Sequence, residues 1–199
     1  MTIHMKSFQA LEMPLVLEQL AEHCQFSAGR ELAMNLLPTN NLDVAQHLQT
    51  ETAEARIFLN NHQNVSVENA FDVRKEIAKS RLSATLQPIE LVRIRSTLSS
   101  SRELKKSILG ATNKSKILSK QAKMIVDLPE LEDDIDCCLN DQAEVLSTAS
   151  KVLADLRDQI KNTNNELLQK LEHITNSPNN TKFLQESIVT QRSDRYVIL

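Results

Sequence analysis

The sequence predicts an all-α chain, an elongated helical bundle that ends in a short β-hairpin, and three observations carry that prediction. Of 199 residues only two are glycine, five proline and 3% aromatic, a composition poor in turn formers and in the bulky residues that strands favour. Apolar residues recur every three to four positions through most of the chain. Only the last dozen residues shift to β-branched and aromatic types in alternation.

The elements follow in order. Leu11, Leu15, Val16, Leu20 and Cys24 form one helical face, with Pro14 tolerated in the first turn. Ser27 is placed to cap a second helix through Leu32, Ala33, Leu36 and Leu37, closed by Pro38. Asn40 and Asp43 mark the start of a third helix carrying Val44, Leu48, Ala55 and Leu59 to about Asn60. A short helix with Val73 and Ile77 leads to Leu82, and Pro88 opens another through Leu91, Ile94, Leu98, Leu104 and Ile108, ending from Gly110. A lysine-rich helix runs to about Val126. Pro129 starts the next, with Leu131, Ile135, Cys138 and Leu139 inward, until Asn140 and Asp141 break it. Ser150 is the expected N-cap of the longest helix, whose packing stripe is Leu153, Leu156, Ile160, Leu167, Leu171 and Ile174, broken only by Thr163 and Asn164. Ile188, Val189 and Thr190, then Ser193 and Asp194, then Tyr196, Val197 and Ile198 read as strand, turn, strand. A two-stranded ribbon is marginal alone, so the polypeptide is expected to continue past Leu199.

Two separated glycines, Gly29 and Gly110, exclude a phosphate loop, a dinucleotide-binding turn and a nucleophile elbow. His4, His23, His47, His62 and His173 are scattered, and Cys24, Cys137 and Cys138 lack ligand spacing, so no metal site is expected. The acids Glu130, Glu132, Asp133, Asp134 and Asp136 fan out around a helix and read as a solvated face. No catalytic residue is assigned. No apolar run approaches the roughly 20 residues of a bilayer span, and a cytoplasmic protein with reduced cysteines is expected.

Charge is distributed unevenly beneath a net charge of −3. Residues 93–123 hold nine basic side chains against the single acid Glu103, and residues 127–158 hold ten acids against Lys151 and Arg157. Either the basic helices meet phosphate, with Arg93, Arg102, Lys105 and Lys106 as contacts, or the two poles pack together and neutralise each other.

Several stretches resemble the bacterial MutS-two family of ATPases. They are Leu11-Glu12 with Val16-Leu17-Glu18-Gln19-Leu20, Gly29-Arg30-Glu31, Leu37-Pro38, Thr52-Ala53-Glu54-Ala55-Arg56, the Leu86 to Leu91 helix entry and Leu128-Pro129-Glu130-Leu131. Glu144-Val145-Leu146 with Ala149-Ser150 and Leu153 follows, and the most distinctive is Leu184-Gln185-Glu186, Ile188-Val189-Thr190 and Arg195-Tyr196-Val197-Ile198. Ala143 stands where the family usually has glycine, Ser147 where aspartate is common, and Leu199 where proline follows.

The resemblance implies an amino-terminal part of a larger protein. Residues 1–149 would be a helical core or lever domain, 150–186 a long helix and connector toward a clamp, and 187–199 a truncated β-ribbon. It implies no cofactor in this segment, with ATP and magnesium, homodimerisation and an endonuclease domain belonging to the parent. The parent's partner would be DNA, branched or mismatched and met in recombination, or a collided ribosome that it splits. The rival expectation is a free-standing helical adaptor or nucleic-acid-binding protein.

Overall fold

The computed structural model describes residues 5–62, 65, 67, 69–111, 115–177, 189–192 and 195–198. Among them are nine α-helices, one 3-10 turn and a two-stranded antiparallel hairpin. The chain divides into two compact units, Met1–Val145 and Leu146–Leu199.

In the first unit, α1 (Met5–Ala10) precedes α2 (Met13–Glu22), in which Pro14 occupies the first turn, where its missing N–H costs nothing. α2 packs as a hairpin on α3 (Ser27–Met34), burying Leu17, Ala21 and Ala33. Two expectations are corrected here. Phe26, not Ser27, is the N-cap of α3 and no side chain caps it. The helix also ends at Met34, so Leu36 and Leu37 lie beyond it, exposed. α4 (Leu42–Asn61) starts one residue later than Asn40 suggests: Asn41 is the cap, its Oδ1 accepting from the Val44 N–H at 3.2 Å.

α5 (Arg74–Arg81) leads to α6 (Pro88–Gly110), where Pro88 begins the helix and Gln87 and Glu90 form a capping box. α7 (Lys116–Met124) and α8 (Pro129–Cys138) both pack on α6. Val92, Ile135 and Leu139 form the core of this contact, with Leu91, Ile94, Cys138 and Ala143 against it. After α8 the chain makes a tight turn closed by a bridge between Leu139 and Val145. The Asn140 side chain organises the turn, its Oδ1 accepting from the N–H groups of Gln142 and Glu144 at 3.1 and 2.8 Å. Ala143 adopts φ 61°, the left-handed conformation that glycine usually supplies at the bulge of a three-residue hairpin loop. The backbone demand is therefore the one that a glycine at this position would meet without strain.

The second unit holds the 3-10 turn Ser147–Ala149, α9 (Lys151–Thr175), β1 (Val189–Arg192) and β2 (Arg195–Ile198). Ser150 is the N-cap of α9 as expected, although its side chain makes no cap hydrogen bond. Thr163 and Asn164 do not interrupt the helix. The strands pair Val189 with Ile198, Thr190 with Val197, Gln191 with Tyr196 and Arg192 with Arg195. Ile188, Ser193 and Asp194, which the sequence assigns to this hairpin, lie outside the described residues.

Candidate nucleic-acid interface

The two charge poles meet at the contact between α6 and α8. Arg95 reaches Asp136 at 2.6 Å and Asp141 at 2.5 Å, and these two hydrogen bonds, Asp141's the stronger, raise its pKa against the opposing effect of burial. About two turns along, Arg102 Nη2 lies 2.8 Å from Glu132 Oε2. Lys105 Nζ donates to Asp127 at 2.7 Å and to the Ile125 carbonyl at 2.8 Å. Three of the basic side chains between residues 93 and 123 are thereby committed to acids of residues 127–158.

Glu132 corrects the assignment of α8. The sequence pattern points Leu131 inward and the acids outward, but Leu131 is 41% exposed and Glu132 5%. The inward set is Glu132, Ile135 and Leu139, spaced three and four apart. A carboxylate is tolerated there because the Arg102 guanidinium supplies both counter-charge and donor, although Glu132 Oε1 has no hydrogen-bond partner in the structure.

Of the four candidate contacts, Arg102 and Lys105 therefore sit in these pairs. Arg93 lies over the Phe71 ring, 5.9 Å from its centroid. That ring belongs to a strap held on α6 by Thr97, whose Oγ1 accepts from the Phe71 N–H at 2.9 Å, and by Ser96, which donates to the Asn69 carbonyl at 2.8 Å. Lys106 is exposed to solvent.

Sequence reasoning missed the residue that orients the next helix. Glu54, on α4, accepts from the N–H groups of Ile117 and Leu118 at 2.9 and 3.2 Å, capping α7 from another element, and Glu51 accepts from the Gln121 amide one turn further on. With its N-terminus satisfied in this way, α7 turns Ile117, Leu118 and Ala122 inward. Lys116, Lys120 and Lys123 are left in solvent, lining a groove of about 490 Å³ with Ser115, Ser119 and Leu109. The only visible signal was the i, i+4, i+7 spacing of these lysines, which counting the charge of residues 93–123 as one block concealed.

The candidate packing residues of α9 are distributed unevenly. Leu153 and Leu171 are half-buried, whereas Leu156, Ile160 and Leu167 are 50%, 63% and 36% exposed. At the surface of the first unit, Arg74 forms pairs with Glu31 and Asp72, both at 2.6 Å. The Arg74 side chain and its N–H hold Asp72 down to a pKa of about 2. Lys79 and the Gln87 N–H likewise lower the pKa of Glu90.

Both glycines are helical, Gly29 within α3 and Gly110 ending α6, and neither has the positive φ of a phosphate-cradling loop. No group of three or more His, Cys, Asp or Glu among the described residues could hold a metal ion. No helix among them is long and apolar enough to cross a membrane.

The geometry defines a class of helical protein: the first unit is a set of packed helices with charged faces, and the second carries one long helix with an exposed apolar stripe and a hairpin. Its sequence is 35% identical, over 98% of the chain, to endonuclease MutS2 of Geobacillus sp. (strain WCH70), of which it covers 25%. It is 35% identical to endonuclease MutS2 of Geobacillus thermodenitrificans (strain NG80-2) and 34% identical to that of Bacillus cytotoxicus, in each case over 97% of the chain and 25% of the relative. No family model matches. The chain is a segment of a MutS2-family protein and spans about a quarter of the length of the curated relatives it matches.

Proposed function

We propose that this chain is a non-catalytic core and lever segment from the amino-terminal part of an ATP-dependent MutS2-type protein. Its helices would carry movement between an ATP-hydrolysing part and a nucleic-acid clamp, both built from other portions of the polypeptide. The observation that carries this reading is the exposed stripe on α9. Leu156, Ile160 and Leu167 follow the three-four spacing of a helix that packs along a second helix, and burying them would recover the free energy that the isolated segment leaves unrealised.

The relatives are named endonucleases. In this reading their chemistry, the ATP with its magnesium and the homodimer contact reside outside this segment, and the nucleic acid is DNA at branched or mismatched sites. A collided ribosome is the other target of the same clamp. Turnover assays test the assignment of roles. The pure chain is expected to hydrolyse neither ATP nor DNA while showing a helical circular dichroism spectrum, and ATP turnover by the pure chain would reject the proposal.

A further inference from the structure

We propose that the α7 face bearing Lys116, Lys120 and Lys123 is a contact site for the phosphodiester backbone of a nucleic acid, bound by charge without reading sequence. The inference rests on the nucleic-acid reading above and adds a contact on α7 to it.

Between residues 93 and 123, Arg95, Arg102 and Lys105 spend their charge on Asp136, Asp141, Glu132 and Asp127. Arg93 leans on Phe71. Among the described residues, Lys116, Lys120 and Lys123 make no ion pair and no acid lines their groove. Their spacing puts them on one side of a helix. At about 1.5 Å rise per residue the row extends about 10 Å, the length over which one strand of a duplex presents about three phosphates. Ser115 and Ser119 add hydroxyl donors beside the ammonium groups.

Lys106 extends the same surface. It lies one turn before Leu109 on α6, and Leu109 lines the groove. The site does not depend on the helix N-terminus, because the Ile117 and Leu118 N–H groups already donate to Glu54. The apolar side of α7 packs on α4 and α6, and among the described residues Leu109 is the one apolar residue lining the groove, which favours a polyelectrolyte over a lipid surface.

The test is fluorescence anisotropy of a labelled 24-base-pair duplex with the 199-residue chain from 25 to 200 mM NaCl. Three contacts correspond to a slope of log K against log salt of about −2.7, or about a 40-fold loss between 50 and 200 mM. The variant K116Q/K120Q/K123Q is expected to lose that part of the slope, and K120Q alone about a third of it. K151Q/K161Q/K170Q, which removes the same charge from exposed positions of α9, is expected to keep it. Equal losses in the two triple variants, or an unchanged slope in the first, would overturn the site while leaving the scaffold reading intact. No retention of the wild-type chain on DNA or on a labelled RNA duplex at 25 mM salt would overturn it too. So would binding confined to vesicles containing phosphatidylserine. Failure of the scaffold reading is seen separately, as ATP turnover by the pure chain.

Discussion

Replacing Arg102 by methionine isolates the cost of the buried charge that joins α6 to α8. The Arg102 side chain is 35% exposed and that of Glu132 7%, so the substitution leaves a carboxylate desolvated with no counter-ion and both oxygens unpaired. Breaking a fully buried pair costs about 3–5 kcal/mol, and water reaching the arginine end lowers this to about 2–3 kcal/mol. Methionine keeps most of the arginine's apolar stem, so lost packing contributes little. The double variant Arg102→Met with Glu132→Leu removes the orphaned charge and is expected within about 1 kcal/mol of the wild type, giving a coupling energy of about 2 kcal/mol. Urea denaturation followed by circular dichroism measures all four corners of the cycle. An Arg102→Met protein within about 0.5 kcal/mol of the wild type would refute the reasoning, because 0.5 kcal/mol is the range of an ordinary surface substitution.

Three further outcomes are expected. Ala143→Gly relieves a left-handed alanine but adds freedom to the unfolded chain and removes a methyl from the Val92 cluster, leaving a net stabilisation of about 0.5 kcal/mol in the same urea assay. Glu54→Ala uncaps α7 and costs about 1 kcal/mol, with faster hydrogen exchange at the Ile117 and Leu118 amides. Asp72, depressed from 3.8 to about 2, contributes stability that is complete above about pH 4 and is lost as pH falls toward 2. Acid titration of Asp72→Asn should accordingly show a shallower decline over that window.

Much of the helical layout was legible because its punctuation is local. Pro88 and Pro129 begin helices where proline is cheapest, Asn41 caps within one residue of the expected position, and the β-branched tail forms a hairpin. What was not legible depends on partners distant in sequence. Periodicity sorts a helix by apolarity, so it turned Leu131 inward; a carboxylate buried against an arginine 30 residues earlier has no local signature. Ser27 and Ser150 have the right chemistry for caps, yet neither makes the bond. Glu54 makes such a bond for a helix more than 60 residues away. The charge blocks were visible as blocks, but which lysines stay in solvent was decided by the packing of α7 against α4 and α6.

The proposed scaffold role requires that the apolar stripe of α9 be covered by other parts of a longer polypeptide. Hydrogen exchange across residues 151–175 tests it, comparing the 199-residue chain with the longer protein. Covering Leu156, Ile160 and Leu167, now 36–63% exposed, is worth about 1 kcal/mol each, so the amides of α9 are expected to exchange about a hundredfold more slowly in the longer protein. Equal exchange in the two would contradict the account.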